Sequence, residues 1–288
     1  MRVSFVILTL LLLATAVPAV AQSAKGSQKN NWKLVWSDEF TNDGAPDSTK
    51  WQFEKGFVRN EEMQWYTSTN AICSNGILRF EARRDTFPNP HYDATSPDWR
   101  RKRKNVTITS SSINTRTKFH FKYGKMEVRA RIDTVSGSWP AIWTLGVEGE
   151  WPACGEVDQM EFYRINGVPT ILANTAWADR GRWNARWDTR RLPLSYFLSK
   201  DPLWSEKFHV WKMEWDEQEI RLYLDDELLN TTELKDAVNY QGKLPAEPFR
   251  QAQYILLNLA IGSNGGNPDH SRFPVVYEVD YVRVYSDK

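Results

Sequence analysis

Cysteine is almost absent: Cys73 and Cys154 are the only two in 288 residues, which excludes a disulfide-dense scaffold and leaves their pairing undecided. Long apolar runs are equally rare. The longest, Phe5 to Leu13, follows the basic Arg2 and precedes the small residues Ala19-Val20-Ala21; it is too short to span a bilayer and has the layout of a signal peptide. Residues 1–21 are therefore expected to be removed on export, to an extracellular or periplasmic location. No membrane span is expected elsewhere. An excess of one charge is also missing. Without Arg2 the basic count falls from 37 to 36, against 36 acids, a balance that argues against general nucleic-acid binding. Helical periodicity and internal repeats are scarce too, with helical signals only near Leu194 to Leu198 and Asp201 to Lys207.

What remains is a β-rich chain with 41% hydrophobic residues, enough for a sizeable core. After a polar lead-in at 22–31, a single domain over 32–288 is expected. Short β-forming runs separated by turn residues recur from Trp32 to Phe40 through Gly76 to Arg83, Gly124 to Ile132, Phe208 to Trp215 and Tyr277 to Tyr285. This spacing predicts an all-β sandwich. Asp225-Asp226, between two apolar flanks, marks a hairpin turn. Fourteen Trp and eleven Tyr are more aromatic surface than a core of this size needs. Trp65, Trp139, Trp143 and Trp177 stand in or beside polar turns and are candidates for a groove that stacks on sugar rings.

The chemistry concentrates in Gly155 to Tyr163, where Glu156, Asp158 and Glu161 fall within six residues of a β-forming run. Side chains alternate along a strand, so Glu156 and Asp158 share a face and Glu161, five steps on, does not. One extra residue, a bulge around Gln159 and Met160, would bring Glu161 to the same face. Glu156 and Glu161 leaning together to about 5–5.5 Å would form the carboxyl pair that cleaves a glycosidic bond with retention. A solvated acidic edge is the plainer alternative. The dense basic run Arg100 to Lys104 lies in a long loop and reads either as a solvated tip or as a contact for anionic groups on a glycan.

These residues resemble the bulged E-x-D-x-x-E signature of glycoside hydrolase family 16. Five further blocks are similar to that family in order: Leu34 to Phe40, Asn60 to Thr67, Tyr123 to Arg129, Trp139 to Trp143 and Val279 to Tyr285. The resemblance implies a jelly roll of two stacked antiparallel sheets with an open, concave cleft and endo attack by a monomer. It makes Glu156 the nucleophile, Asp158 the assisting acid and Glu161 the general acid/base, with Asp158 expected to keep the Glu161 proton on through its negative charge. Asn60, Trp65, Trp139, Trp143 and Trp177 would bind substrate. No cofactor is implied for catalysis; a structural Ca²⁺ on the convex side would take Glu39, Asp280 and a carbonyl near Gly76. Two departures bear on substrate. Many β-1,3-glucanases of the family read S-A-R where this chain has Ser110-Ser111-Ser112, and a His where it has Ala176. The first expectation is β-1,3- or β-1,3/1,4-glucan. The alternatives are an endo-β-galactosidase acting on poly-N-acetyllactosamine of mucin-type O-glycans, keratan or a sulfated galactan, and a non-catalytic carbohydrate-binding jelly roll.

Overall fold

In Gly124–Ile132 buried and half-buried residues alternate without a break, and His209–Trp215 and Glu219–Leu224 follow the same period of two. Each of these strands lays one face on a core and offers the other to solvent. The structure is a computed structural model that describes residues 32–287. The expected signal peptide and lead-in lie outside the described residues.

The three strands above belong to a back sheet. Its order is Glu227–Glu233, Glu219–Leu224, His209–Trp215, Gly124–Ile132, Val275–Ser286, Ile77–Ala82 and Ala71–Ser74, with Lys33–Asp38 also paired to Val275–Ser286. A second sheet runs Ala185–Pro193, Val168–Ala178, Glu156–Ile165, Ser138–Gly146, Gln253–Ile261, Ser112–Asn114 and Gln52–Phe53. All pairings within both sheets are antiparallel. The two stack as a jelly roll. Met126, Val128, Trp211 and Met213 from the back sheet meet Val157, Met160, Phe162, Leu257 and Leu259 from the second in one core.

Burial in the second sheet is nearly continuous. All of Gln253–Ile261 is buried, because its inner face meets the core and its outer face floors a cleft. A smaller apolar cluster of Ala141, Trp143, Tyr254 and Leu256 covers that outer face. All described residues fall in one compact unit, and no described helix is long and apolar enough to cross a membrane.

Leu224 pairs with Glu227 across Asp225-Asp226, the expected hairpin. One strand differs from expectation: Ala185–Pro193 is an edge strand that reads as loop, because edges carry the charged and polar residues that block further pairing. Cys73 and Cys154 are buried free thiols, one in each half of the sandwich. Burial pushes both up to about 12, so neither is a ready nucleophile.

Candidate active site

Glu156–Ile165 lies between Ser138–Gly146 and Val168–Ala178. Its register slips once on each side. Against Ser138–Gly146, Met160 faces Ile142 and Asp158 faces Trp143, so Gln159 has no partner; against Val168–Ala178 the shift falls between Asp158 and Glu161. That single extra residue is a β-bulge. Val157, Met160 and Phe162 consequently enter the core, while Glu156, Asp158, Glu161 and Tyr163 line the cleft. Gln159 is aimed inward and donates from Nε2 to the carbonyls of Met126 and Trp211 in the back sheet. Gly155, at φ +77°, delivers the chain into the strand; a Cβ there would stand 2.8 Å from Pro248 Cβ.

The cleft holds about 630 Å³. Asp158 stands between the two glutamates on the cleft face and interacts with both. Each outer acid has its own donors. Trp151 Nε1 donates to Glu156 Oε2 at 2.6 Å, and Trp139 Nε1 to Glu161 Oε1 at 2.9 Å. Asn174 Nδ2 donates to Asp158 Oδ2 at 3.1 Å and to Glu161 Oε2 at 2.9 Å.

Burial dominates the electrostatics. It raises Glu156, against the opposing hydrogen bonds of Trp151 and Asp158. It raises Glu161 to about 7, helped by the Glu156 charge and opposed by the hydrogen bonds of Trp139, Asp158 and Asn174. Asp158 is raised well above the usual range by burial and then by the charges of Glu156 and Glu161. The direction of that shift favours the protonated form of the central acid. For Glu161 the causes that raise it are burial and the Glu156 charge, while the Asp158 hydrogen bond lowers it.

Trp139, Trp143 and Asn60 line the cleft. Trp143 is fixed by its Nε1 bond to Asn258 Oδ1 at 2.7 Å and lies under the Arg59 guanidinium, 5.1 Å from ring to Cζ. Trp177 does not reach the cleft. Ala176 pairs with Glu156 on the cleft side, so the next residue must point inward, and Trp177 packs edge-on to Phe249 in the core. Trp65 also lies elsewhere, in a separate hollow beneath the loop carrying Arg100 and Arg101, stacked on His91. The expected calcium ligands do not form an oxygen cage. Arg283 engages both oxygens of Glu39 at 3.0 and 2.8 Å, and Arg129 pairs with Asp280. Gly76 stands in an open turn, and no cluster of three or more His, Cys, Asp or Glu suited to a metal exists among the described residues.

Further side chains complete the cleft. Glu54 accepts from Ser112 Oγ at 2.6 Å and holds the Arg59 guanidinium, while the buried Glu62 accepts from Gln64 and Tyr66. Trp151 and Trp187 also line the cleft. Asn174 was within reach of sequence logic: Asn166-Gly167, both at positive φ, is a two-residue hairpin turn that pairs Ile165 with Val168. Counting back through one bulge sets Asn174 opposite Asp158.

The model of glycosyl hydrolases family 16 matches residues 59–272. The β-glucanase of Rhodothermus marinus is 32% identical over 91% of this chain and 88% of its own length. Among solved structures, one from the endo-acting O-glycanases with which human gut microbes initiate mucin breakdown has 31% identity and a TM-score of 0.79, covering 91% of this chain and 93% of its own. The laminarinase catalytic domain from Thermotoga maritima, also 31% identical, has a TM-score of 0.72 over 89% of this chain and 99% of its own.

Proposed function

This chain belongs to glycosyl hydrolase family 16, and from that premise we propose an exported, endo-acting, retaining β-glycosidase whose substrate is a galactose-containing glycan of the mucin O-glycan type. The observation carrying the chemistry is the Glu156–Asp158–Glu161 row, with one shared acid between two glutamates of different surroundings. Glu156, steadied as a carboxylate by Trp151, attacks the anomeric carbon. The glycosidic C–O bond breaks and the Glu161 proton passes to the leaving oxygen. Glu161, now ionised and held by Trp139 and Asn174, takes a proton from water, whose oxygen displaces Glu156 from the anomeric carbon. Attack within a chain is supported by the likeness to an endo-acting O-glycanase. Export rests on the signal-like segment at 1–21.

The choice of sugar rests on two features. Ala176, the cross-strand partner of Glu156, stands where many glucanases of the family carry His. At equal identity, the fold superimposes more closely on the O-glycanase than on the laminarinase. A β-1,3-glucan is the second reading, favoured by the 32% identity to a β-glucanase.

Wild-type enzyme should release oligosaccharides from mucin or lactosamine-type glycans with a higher kcat/KM than from laminarin or mixed-linkage glucan. The opposite ranking would move the assignment to glucan. Glu156→Gln and Glu161→Gln should each stay folded and lose at least ~100-fold in rate, and azide should partly restore Glu156→Ala. Saturable binding without any product, from any of these substrates, would leave only a carbohydrate-binding jelly roll.

A further inference from the structure

The segment from Glu54 to Glu62 is a wall with two faces. Glu54, Arg59, Asn60 and Glu62 face the cleft, whereas Lys55, Gly56 and Phe57 face a second hollow of about 500 Å³. The far side of that hollow is the segment 84–108, none of whose residues enters the cleft. This segment is built, not loose. Phe87–Pro88 pairs with Asn105–Val106, the Asn89 amide donates to the carbonyls of Arg100 and Arg103 at 2.8 Å each, and Asp98 caps the short helix Trp99–Lys102.

The basic run divides its work. Arg103 belongs to the framework: its guanidinium lies 4.7 Å from the rings of both Phe57 and Trp99 and donates to the carbonyls of Glu61 and Glu62. Arg100 and Arg101 line the hollow instead. Asp98 engages Arg100 through Nε, and Asp93 takes a terminal nitrogen of Arg101. Each pair fixes its arginine while using only part of the guanidinium fork, and the two side chains are 49% and 50% exposed. Lys55 has no ion pair or hydrogen bond among the described residues. Lys55, Arg100 and Arg101 are met by two acids, Asp98 in the lining and Asp93 behind Arg101, which leaves an excess of one positive charge.

The same hollow has ring surface. Trp65 stacks on His91 with centroids 6.0 Å apart, Phe57 braces Trp65 edge-on, and Tyr92 is exposed. Rings accept the apolar face of a sugar, and a partly free guanidinium fork accepts a planar or tetrahedral oxyanion through two N–H donors. We propose that this hollow is a second carbohydrate-binding site, separate from the cleft, which takes an acidic sugar bearing a sulfate ester or a carboxylate. Resting on the glycan reading above, it would hold an acidic residue of the same glycan whose backbone lies in the cleft, across the wall at 54–62.

The test measures binding without turnover. Full-length Glu156→Gln protein is titrated by calorimetry with galactose 6-sulfate, with sialyllactose and with lactose, at low and at physiological salt. At least one acidic sugar should saturate while lactose does not, and salt should weaken that binding. Adding Arg100→Ser and Arg101→Ser, with circular dichroism to verify the fold, should weaken it ~10-fold or more. Tyr92→Ala should weaken it as well. Saturation by the sulfated or by the sialylated sugar identifies the anion. Binding of neither, or equal affinity in the double variant, overturns the proposal. Because this readout needs no hydrolysis, a wild-type enzyme inactive on every glycan would refute the catalytic reading alone.

Discussion

A carboxylic acid that must carry a proton at neutral pH has to be kept from water, and Glu161 is held at about 7 chiefly by burial. Activity should therefore fall as pH rises through about 7, when Glu161 loses the proton it must donate. The acid limb should lie above the ordinary glutamate value, because Glu156 is raised too and must be ionised to attack. Asp158→Asn separates two accounts of the central residue. If Asp158 is a protonated donor, the amide keeps an N–H for Glu161, and the alkaline limb should stay in place while the rate drops. If it were an anion, the limb would move to lower pH. Asn174→Ala removes a donor that favours ionised Glu161, so its limb should move to higher pH. Rate–pH profiles of the three proteins decide both points. The acids themselves were legible because alternation along a strand is a local rule; the upward shift of Asp158 was not, since burial depends on the loops and strands closing over it.

The bulge is the element on which that arrangement depends. Gln159 is the inserted residue, fully buried, and its amide ties the catalytic strand to the back sheet through the carbonyls of Met126 and Trp211. Gln159→Ala removes those donors and leaves a small void, which should cost roughly 1–3 kcal/mol in urea denaturation. Deleting Gln159 should be far worse for activity: without the extra residue, Glu161 turns to the core face and Phe162 to the cleft. A deletion variant retaining near-normal activity would contradict the register described above. Strand parity also explains which aromatics were misplaced from sequence. Trp177 follows a residue on the cleft side and so points into the core, although its polar neighbourhood suggested a groove. Trp65 stands beside a polar turn, which suggested the groove, yet it faces the other side of the wall. Ala185–Pro193 is not legible as a strand because an edge strand rich in Arg has the composition of a loop, and Trp187 lies within it.

At the scale of the whole molecule, the site is a standing cost to stability, and its sign follows from the direction of the shifts. Glu156, Asp158 and Glu161 all have raised values in the folded protein. Once unfolded, each ionises near its ordinary value of about 4. Between the two values the folded state binds more protons than the unfolded one, so stability declines as pH rises, and the loss is complete above the folded value. For Glu161 that window runs from 4.5 to about 7. At about 1.4 kcal/mol per unit, the full loss from this one residue is up to roughly 3 kcal/mol. Glu161→Gln cannot ionise and so escapes it. The amide also mismatches one of the two donors, Trp139 and Asn174, a penalty independent of pH. The quantity to measure is therefore the difference between variant and wild type across pH. Urea denaturation should show the variant gaining on wild type by roughly 1–3 kcal/mol between pH 4 and pH 8, with the gain developing inside the Glu161 window. A difference that stays flat across that range would mean that Glu161 ionises as freely in the folded protein as in the unfolded chain, and the protonated acid on which the catalytic cycle depends would be lost with it.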